Sequence, residues 1–270
     1  MEEDYKKVTM ADQIAIAVSS PKNYKQLTGL KTGKLVAFMF VITFLLVFIE
    51  FGISAITFIA KTGGFKNLAL NKIPAFTYDG AKLEMDGNLE LSIGEMIIYI
   101  DTEKEKLSLD DIEEDGAYIA MGRENIIMGI ISGGQNYEYM NYALSLLFPV
   151  SFDNSKLAEL APSFYIYLVI VYIANMIGKA IKILLYALIF SIVGRAVAGN
   201  FQTGLSYGQV YKVCIYGLTL SMLLAAVNFA AGYFVPEALL MMINVFLSFM
   251  FINRGILSHI DMTKPPQDLF

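Results

Sequence analysis

The chain has one cysteine, one histidine and two long stretches almost without charge, and each shortage excludes something. Cys214 has no partner for an intrachain disulfide, so folding does not depend on oxidation. Extracellular eukaryotic domains of comparable size often carry disulfides, so their absence favours a bacterial cell surface. His259 alone cannot build a multi-histidine metal site within one chain. The H-E-x-x-H pattern is therefore impossible, and Gly133-Gly134 lacks the G-K-[ST] that would make it a phosphate loop. These absences lead us to expect a protein that is not an enzyme, with no catalytic, metal or cofactor-binding residues and no cofactor.

Apolar residues, by contrast, are abundant. They make up 56% of the 270 residues and raise the mean hydropathy to +0.55, above the usual range of a soluble globular chain. The excess lies in Leu35 to Ala60 and from Phe164 towards the C-terminus. Between them, Lys61 to Pro162 has an almost ordinary soluble composition. That middle stretch holds seventeen acidic and eight basic residues, a net charge of −9, and the rest of the chain is +4. An acidic segment of this kind lacks the clustered Lys and Arg that phosphate binding needs, so nucleic acid is not expected as a partner.

The pattern predicts a polytopic α-helical membrane protein with four transmembrane helices and a small β-rich (α+β) extracytoplasmic domain between helices 1 and 2. Residues 1–34 form a cytoplasmic segment whose Lys6, Lys7, Lys22, Lys25, Lys31 and Lys34 fit the positive-inside rule. Within it, Met10, Ile14, Ala17 and Val18 share one face of a short helix, for which a place on the membrane surface and a packed position are both open. The first span covers residues 35–60, enough to cross roughly 30 Å of hydrocarbon. The domain covers 61–162 and the second span 163–198, read as one long helix. After a loop at 199–209, spans follow at 210–234 and 235–256, joined around Val235-Pro236-Glu237. A cytoplasmic tail occupies 257–270. Both termini then lie in the cytoplasm, and the expected location is a bacterial plasma membrane.

In the domain, Phe76 to Tyr78, Leu83 to Leu91, Met96 to Ile100, Tyr118 to Met121 and Ile126 to Ile131 read as strands. Asp79-Gly80 and Asp86-Gly87 supply tight turns, and Leu83, Met85, Leu89 and Leu91 are placed on one strand face. The acidic run Asp110, Asp111, Glu113, Glu114 and Asp115 does not have EF-hand spacing and reads as a solvated turn or helix start. Tyr137, Tyr139 and Tyr142 suit either a ligand groove or a membrane-facing surface. Asp153 or Ser151 is expected to cap a short helix up to Leu160.

Charges inside the spans are few enough to be candidates for a site. Glu50 lies sixteen residues past Lys34, or roughly 24 Å along a helix. Lys182 and Lys179 lie thirteen and sixteen residues before Arg195, roughly 20 to 24 Å from the same side. Glu50 is therefore expected to pair with Lys179 or Lys182, since an unpaired charge there costs on the order of a few kcal/mol. The cluster reads either as a proton or substrate relay or as a buried clamp with lysines snorkelling to the interface. Asn175, Asn228 and Asn244 are placed for bonds between helices, and Ala174 with Gly178 for close packing.

Several short motifs resemble the bacterial domain-of-unknown-function family 1189, whose members are sometimes labelled maltodextrin-utilisation membrane proteins and related to Yip-type membrane proteins. They are Ser20-Pro21-Lys22-Asn23-Tyr24, Pro74-Ala75-Phe76 with Asp79-Gly80, Ile98-Tyr99-Ile100-Asp101-Thr102, Tyr211-Lys212 and Tyr216-Gly217-Leu218-Thr219. The resemblance implies a plasma membrane of Gram-positive type, four spans and an external loop domain, and it supplies no catalytic residues. The expected role is an accessory or sensory protein whose domain binds a partner or envelope ligand, with the lipid bilayer and a membrane-protein partner or second copy as its company. The alternative is a small transporter or transporter subunit, linked through the family label to maltodextrin uptake.

Overall fold

The structure is a computed structural model that describes residues 8–93, 96–108, 111, 116–132 and 136–260. Lys6, Lys7, Asp110, Glu113, Glu114, Asp115, Gly133 and Gly134, singled out in the sequence, lie outside the described residues. Among the described residues, four helices are long and apolar enough to cross a membrane: Thr32–Thr62, Ala161–Asn200, Tyr207–Ala230 and Glu237–Leu257. The chain divides into two compact units, one made of Met1–Gly52 with Val171–Phe270 and the other of Ile53–Ile170.

The first unit is helical. It opens with α1 (Met10–Ser19), where Thr9 and Asp12 form a capping box. A single 3-10 turn, Pro21–Asn23, leads into α2 (Tyr24–Thr28). Pro21 suits the first turn, where its missing N–H is not needed. α1 buries Gln13 and Ala17 against the bundle, so the packed alternative holds for this helix. Next, α3 (Thr32–Val47) runs into a π-helical turn, Phe48–Gly52, and continues beyond it as α4 (Ile53–Thr62).

Between the first two spans, α5 (Phe65–Asn67) and a π turn at Leu68–Lys72 precede the strands. Strands β1 (Phe76–Tyr78) and β2 (Leu83–Met85) form a three-stranded antiparallel sheet completed by the later β8 (Phe152–Asp153), in the order β2-β1-β8. Strands β3 (Leu89–Ile93), β4 (Met96–Ile100), β5 (Gly116–Met121), β6 (Asn125–Ser132) and β7 (Asn136–Ala143) form a second sheet in sequence order. Only β4 and β5 run parallel within it. The two turns act as expected, with Gly80 at φ 109° and Gly87 at φ 84°. Leu83 and Leu89 nevertheless belong to different sheets, because the chain leaves one sheet at Asp86-Gly87 and enters the other.

The domain core is Tyr78, Leu83, Ile100, Ile126, Leu144 and Phe152. Beside it, buried Asn125 accepts from Leu107 N at 2.9 Å and donates to Leu107 O at 2.9 Å and Asn141 Oδ1 at 3.0 Å, which fixes the β4–β5 crossover. Asp111 receives Lys104 Nζ at 2.6 Å and Ser108 N at 2.7 Å, and the lysine bond holds its carboxyl down at about 2. α6 (Asn154–Glu159) begins at Asp153, whose carboxylate accepts from Lys156 N at 2.9 Å.

The long apolar segment that follows is one helix, α7 (Ala161–Asn200), of 40 residues. It is followed by α8 (Tyr207–Gly217), α9 (Thr219–Ala230) and α10 (Glu237–Leu257). Asn228 closes the turn between α9 and α10, with Nδ2 donating to Val235 O at 3.0 Å and Oδ1 accepting from Val235 N at 2.8 Å.

Candidate functional site

The apolar spans leave few groups able to do chemistry, and the first is on the π turn. A π turn inserts a residue into an α-helix and re-aims the side chains around it, often where a function or a close contact needs them. Here it carries Glu50, whose Oε1 accepts from Lys179 Nζ at 2.6 Å. The carboxylate side chain is 16% exposed and the ammonium side chain 25% within the chain. Tyr172, two helical turns before Lys179, donates to Phe44 O at 2.9 Å and packs its ring edge-on to Phe44 at 5.6 Å. The tyrosine and the ion pair thus join α7 to the first span at two levels.

Of the three charges singled out, the structure brings Glu50 and Lys179 together and leaves Lys182 apart. Lys182 Nζ lies 5.7 Å from the ring centroid of Tyr186 on its own helix, a cation–π arrangement one turn on. The asparagines do not bond between helices as expected. Asn175 donates to Val171 O within α7 at 2.9 Å, Asn228 serves its turn, and Asn244 Oδ1 is buried without a hydrogen-bond partner among the described residues. Hydroxyls take the interhelical role instead: Ser221 meets Ser248 at 2.7 Å and Ser191 meets Tyr207 at 2.8 Å.

Close packing likewise falls on other glycines. A Cβ on Gly178 would meet nothing within 4 Å among the described residues, so this glycine is not a point of close approach there. A Cβ on Gly217 would come within 2.5 Å of Ile252 Cγ1, and one on Gly194 within 3.0 Å of Val210 Cγ1. An apolar crevice between α7 and α10, lined by Phe190, Val193, Gly194, Phe249 and Ile252, encloses only about 10 Å³, the room of one water.

Gly204-Leu205-Ser206-Tyr207-Gly208 has the G-x-S-x-G spacing of a hydrolase nucleophile elbow. The elbow needs a strand leading into a helix. Here helix α7 comes before, and Ser206 caps α8 in a capping box with Gln209. The match is a helix-start signal in the same letters.

At the end of the bundle that holds both flanks of the chain, Thr28 Oγ1 lies 2.8 Å from His259 Nε2, and His259 Nδ1 lies 3.0 Å from Gly255 O. With Nδ1–H donating to the carbonyl, the Thr28 hydroxyl either donates to Nε2 of neutral imidazole or accepts from Nε2–H of imidazolium while donating to Lys25 O at 3.1 Å. Lys212 Nζ donates to Leu30 O at 2.9 Å beside it. Burial pushes the His259 pKa below its ordinary value, and nearby Lys25 adds to this against two backbone hydrogen bonds. An undocked segment therefore takes up the proton first. Docking of residues 24–30 is fully favoured above the ordinary imidazole value of about 6.5 and weakens as pH falls below it. Amide exchange in residues 24–30, corrected for its intrinsic rate, is expected to accelerate between pH 7.5 and 5.5. In His259→Gln this pH dependence disappears; unchanged protection in the parent chain at both pH values would refute the assignment.

The domain offers the second site. β7 is the edge of the five-stranded sheet, eight residues long, and every residue from Tyr139 to Ala143 is exposed. Tyr139 and Met140 are 49% and 54% exposed, and Tyr142 donates to Met140 Sδ at 3.2 Å. Of the tyrosines singled out, Tyr139 and Tyr142 thus lie on an open strand; the backbone of Tyr137 lies on it too. No group of three or more Cys, His, Asp or Glu suited to a metal occurs among the described residues.

The model of a family described as protein of unknown function, DUF1189, matches residues 12–256. No curated protein and no solved structure matches the chain.

Proposed function

The chain belongs to the DUF1189 family, and from that premise and the open edge of its domain we propose a non-enzymatic accessory or sensory membrane protein that binds a partner or envelope ligand along β7. The edge carries the proposal. Long edge strands with apolar side chains invite pairing with another chain, and proteins blunt them when pairing has no use. Here β7, eight residues long like β6, is the edge of its sheet and presents Tyr139, Met140 and Tyr142 exposed. Such an edge receives an extended segment through main-chain hydrogen bonds, with alternate side chains reading its identity.

The helices serve as anchor, and the domain faces outward from a bacterial plasma membrane with both chain ends in the cytoplasm. Support for this orientation comes from the lysines before the first span and from the contact between Thr28, which precedes the first span, and His259, which follows the last. A photo-reactive residue in place of Tyr139, illuminated in intact cells, is expected to yield a discrete adduct. The same group in place of Glu84 on β2 should yield none. Absence of any adduct from β7 would end this reading, and a self-adduct would identify the partner as a second copy.

A further inference from the structure

Charge is sharply segregated within the Ile53–Ile170 unit. Lys61, Lys66 and Lys72 lie in a stretch without a single acidic residue, whereas residues 73–162 carry seventeen acidic and five basic residues. All three lysines are exposed, and among the described residues none is ion-paired. Elsewhere in the unit Lys82 and Lys104 do have carboxylate partners.

The lysines stand on a built platform. Gly63 and Gly64, at φ 74° and 93°, end α4 and turn the chain back, and Asn67 Nδ2 donates to Thr62 O at 2.6 Å. Lys72 Nζ donates to Lys61 O at 3.0 Å, which holds the first and last lysines close together. Phe65 stacks on Phe164 with centroids 4.4 Å apart and planes 18° apart, and its N–H donates to Tyr165 Oη at 3.0 Å. Behind the platform, Asn154 Nδ2 donates to Ala69 O at 2.9 Å.

The platform lies at the ends of two helices long and apolar enough to cross a membrane. Lys61 is in the last turn of Thr32–Thr62, and Phe164 and Tyr165 are in the first two turns of Ala161–Asn200. Aromatic rings and lysines at span ends mark the boundary between hydrocarbon and headgroups, the depth at which lipid phosphates lie. We propose that Lys61, Lys66 and Lys72 form a seat for the phosphate of an anionic phospholipid, which holds the base of the acidic domain on the membrane surface. Without such a seat, a domain of net negative charge is repelled by an anionic bilayer. Ammonium groups suit the site because they bind phosphate as point charges from several directions.

The test uses the full chain in mild detergent, titrated with short-chain phosphatidylglycerol or phosphatidylcholine and read by native mass spectrometry. Phosphatidylglycerol is expected to bind at least tenfold more tightly, with a preference that declines as salt rises. Replacing the three lysines together by Gln should abolish the preference, at about fivefold for each lysine. The same three changed to Arg should keep it, as should Lys106→Gln, and the Arg and Lys106 chains control for folding. Inorganic phosphate at millimolar concentration should not displace the lipid; displacement would mean a free-anion site and overturn the proposal. Equal binding of the two lipids by the parent chain, or a preference that survives the triple Gln change, would overturn it as well.

Discussion

Lys179→Met is expected to destabilise the helical unit by about 3–5 kcal/mol, the usual cost of breaking a buried ion pair by removing one partner. The reason is the carboxylate left behind. Glu50 sits on the π turn in the first span, 16% exposed, with Lys179 as its ion-pair partner at 2.6 Å. Once the ammonium is gone, the carboxylate must take up a proton or remain charged in an apolar surround. Glu50→Gln with Lys179→Met removes both charges and should return to within about 1 kcal/mol of the parent chain. Lys182→Met, which removes only a cation–π contact, should change stability by less than about 1 kcal/mol. Unfolding in mixed micelles measures all four. Equal losses in the single Lys179 change and the double change would show that the pair is not a coupled unit. The double variant also separates two functions: a clamp tolerates it, whereas a small transporter that moves protons or substrate past Glu50 loses uptake in reconstituted vesicles while remaining folded.

What the sequence made legible follows from which physical signals are local. Four spans are readable because about twenty apolar residues in a row have few alternatives to a membrane, and the turns at Gly80 and Gly87 are readable because Asp-Gly supplies the positive φ they need. The depth match of Glu50 with the lysines needed only the rise of a helix. Choosing Lys179 over Lys182 needed the rotation of α7 about its axis, which tertiary packing sets. The same rotation leaves Gly178 facing open space, whereas the close approach of Gly217 to Ile252 is set by how α8 packs on α10. β7 escaped for a different reason. An edge strand exposed from Tyr139 to Ala143 has no buried side there and so lacks the continuous apolar run, Ile126 to Ile131, by which β6 is recognised. Leu83 and Leu89 were joined on one strand because alternation continues across Asp86-Gly87; the change of sheet depends on partners elsewhere in the chain.

The fit between Tyr24 and Gly255 carries the second large prediction. Tyr24 is fully buried, donates to Ala17 O at 2.8 Å and lies 6.3 Å from the Tyr216 ring, so it ties α1 and α2 to α8. Burial raises its hydroxyl pKa, so the group stays a neutral donor. Tyr24→Ala removes a whole aromatic ring from this packing and should destabilise docking of residues 10–30 by about 3–5 kcal/mol. Gly255→Ala attacks the same contact from the other side. A Cβ there would collide with the Tyr24 ring and lie 2.9 Å from Val213 Cγ1. Overpacking of this kind costs about 1–3 kcal/mol. The two losses should not add, because the cavity left by Tyr24→Ala accepts the new methyl group. Limited proteolysis of residues 10–30, with amide exchange as the quantitative readout, is expected to place the double variant no lower than Tyr24→Ala alone. Strict additivity would mean that Gly255 is required for its helix backbone and not for room beside the ring. Since Gly255 O also faces His259 Nδ1 at 3.0 Å, a shift of α10 away from Tyr24 should weaken the histidine contact too, and Gly255→Ala should flatten the pH dependence of docking at the same time.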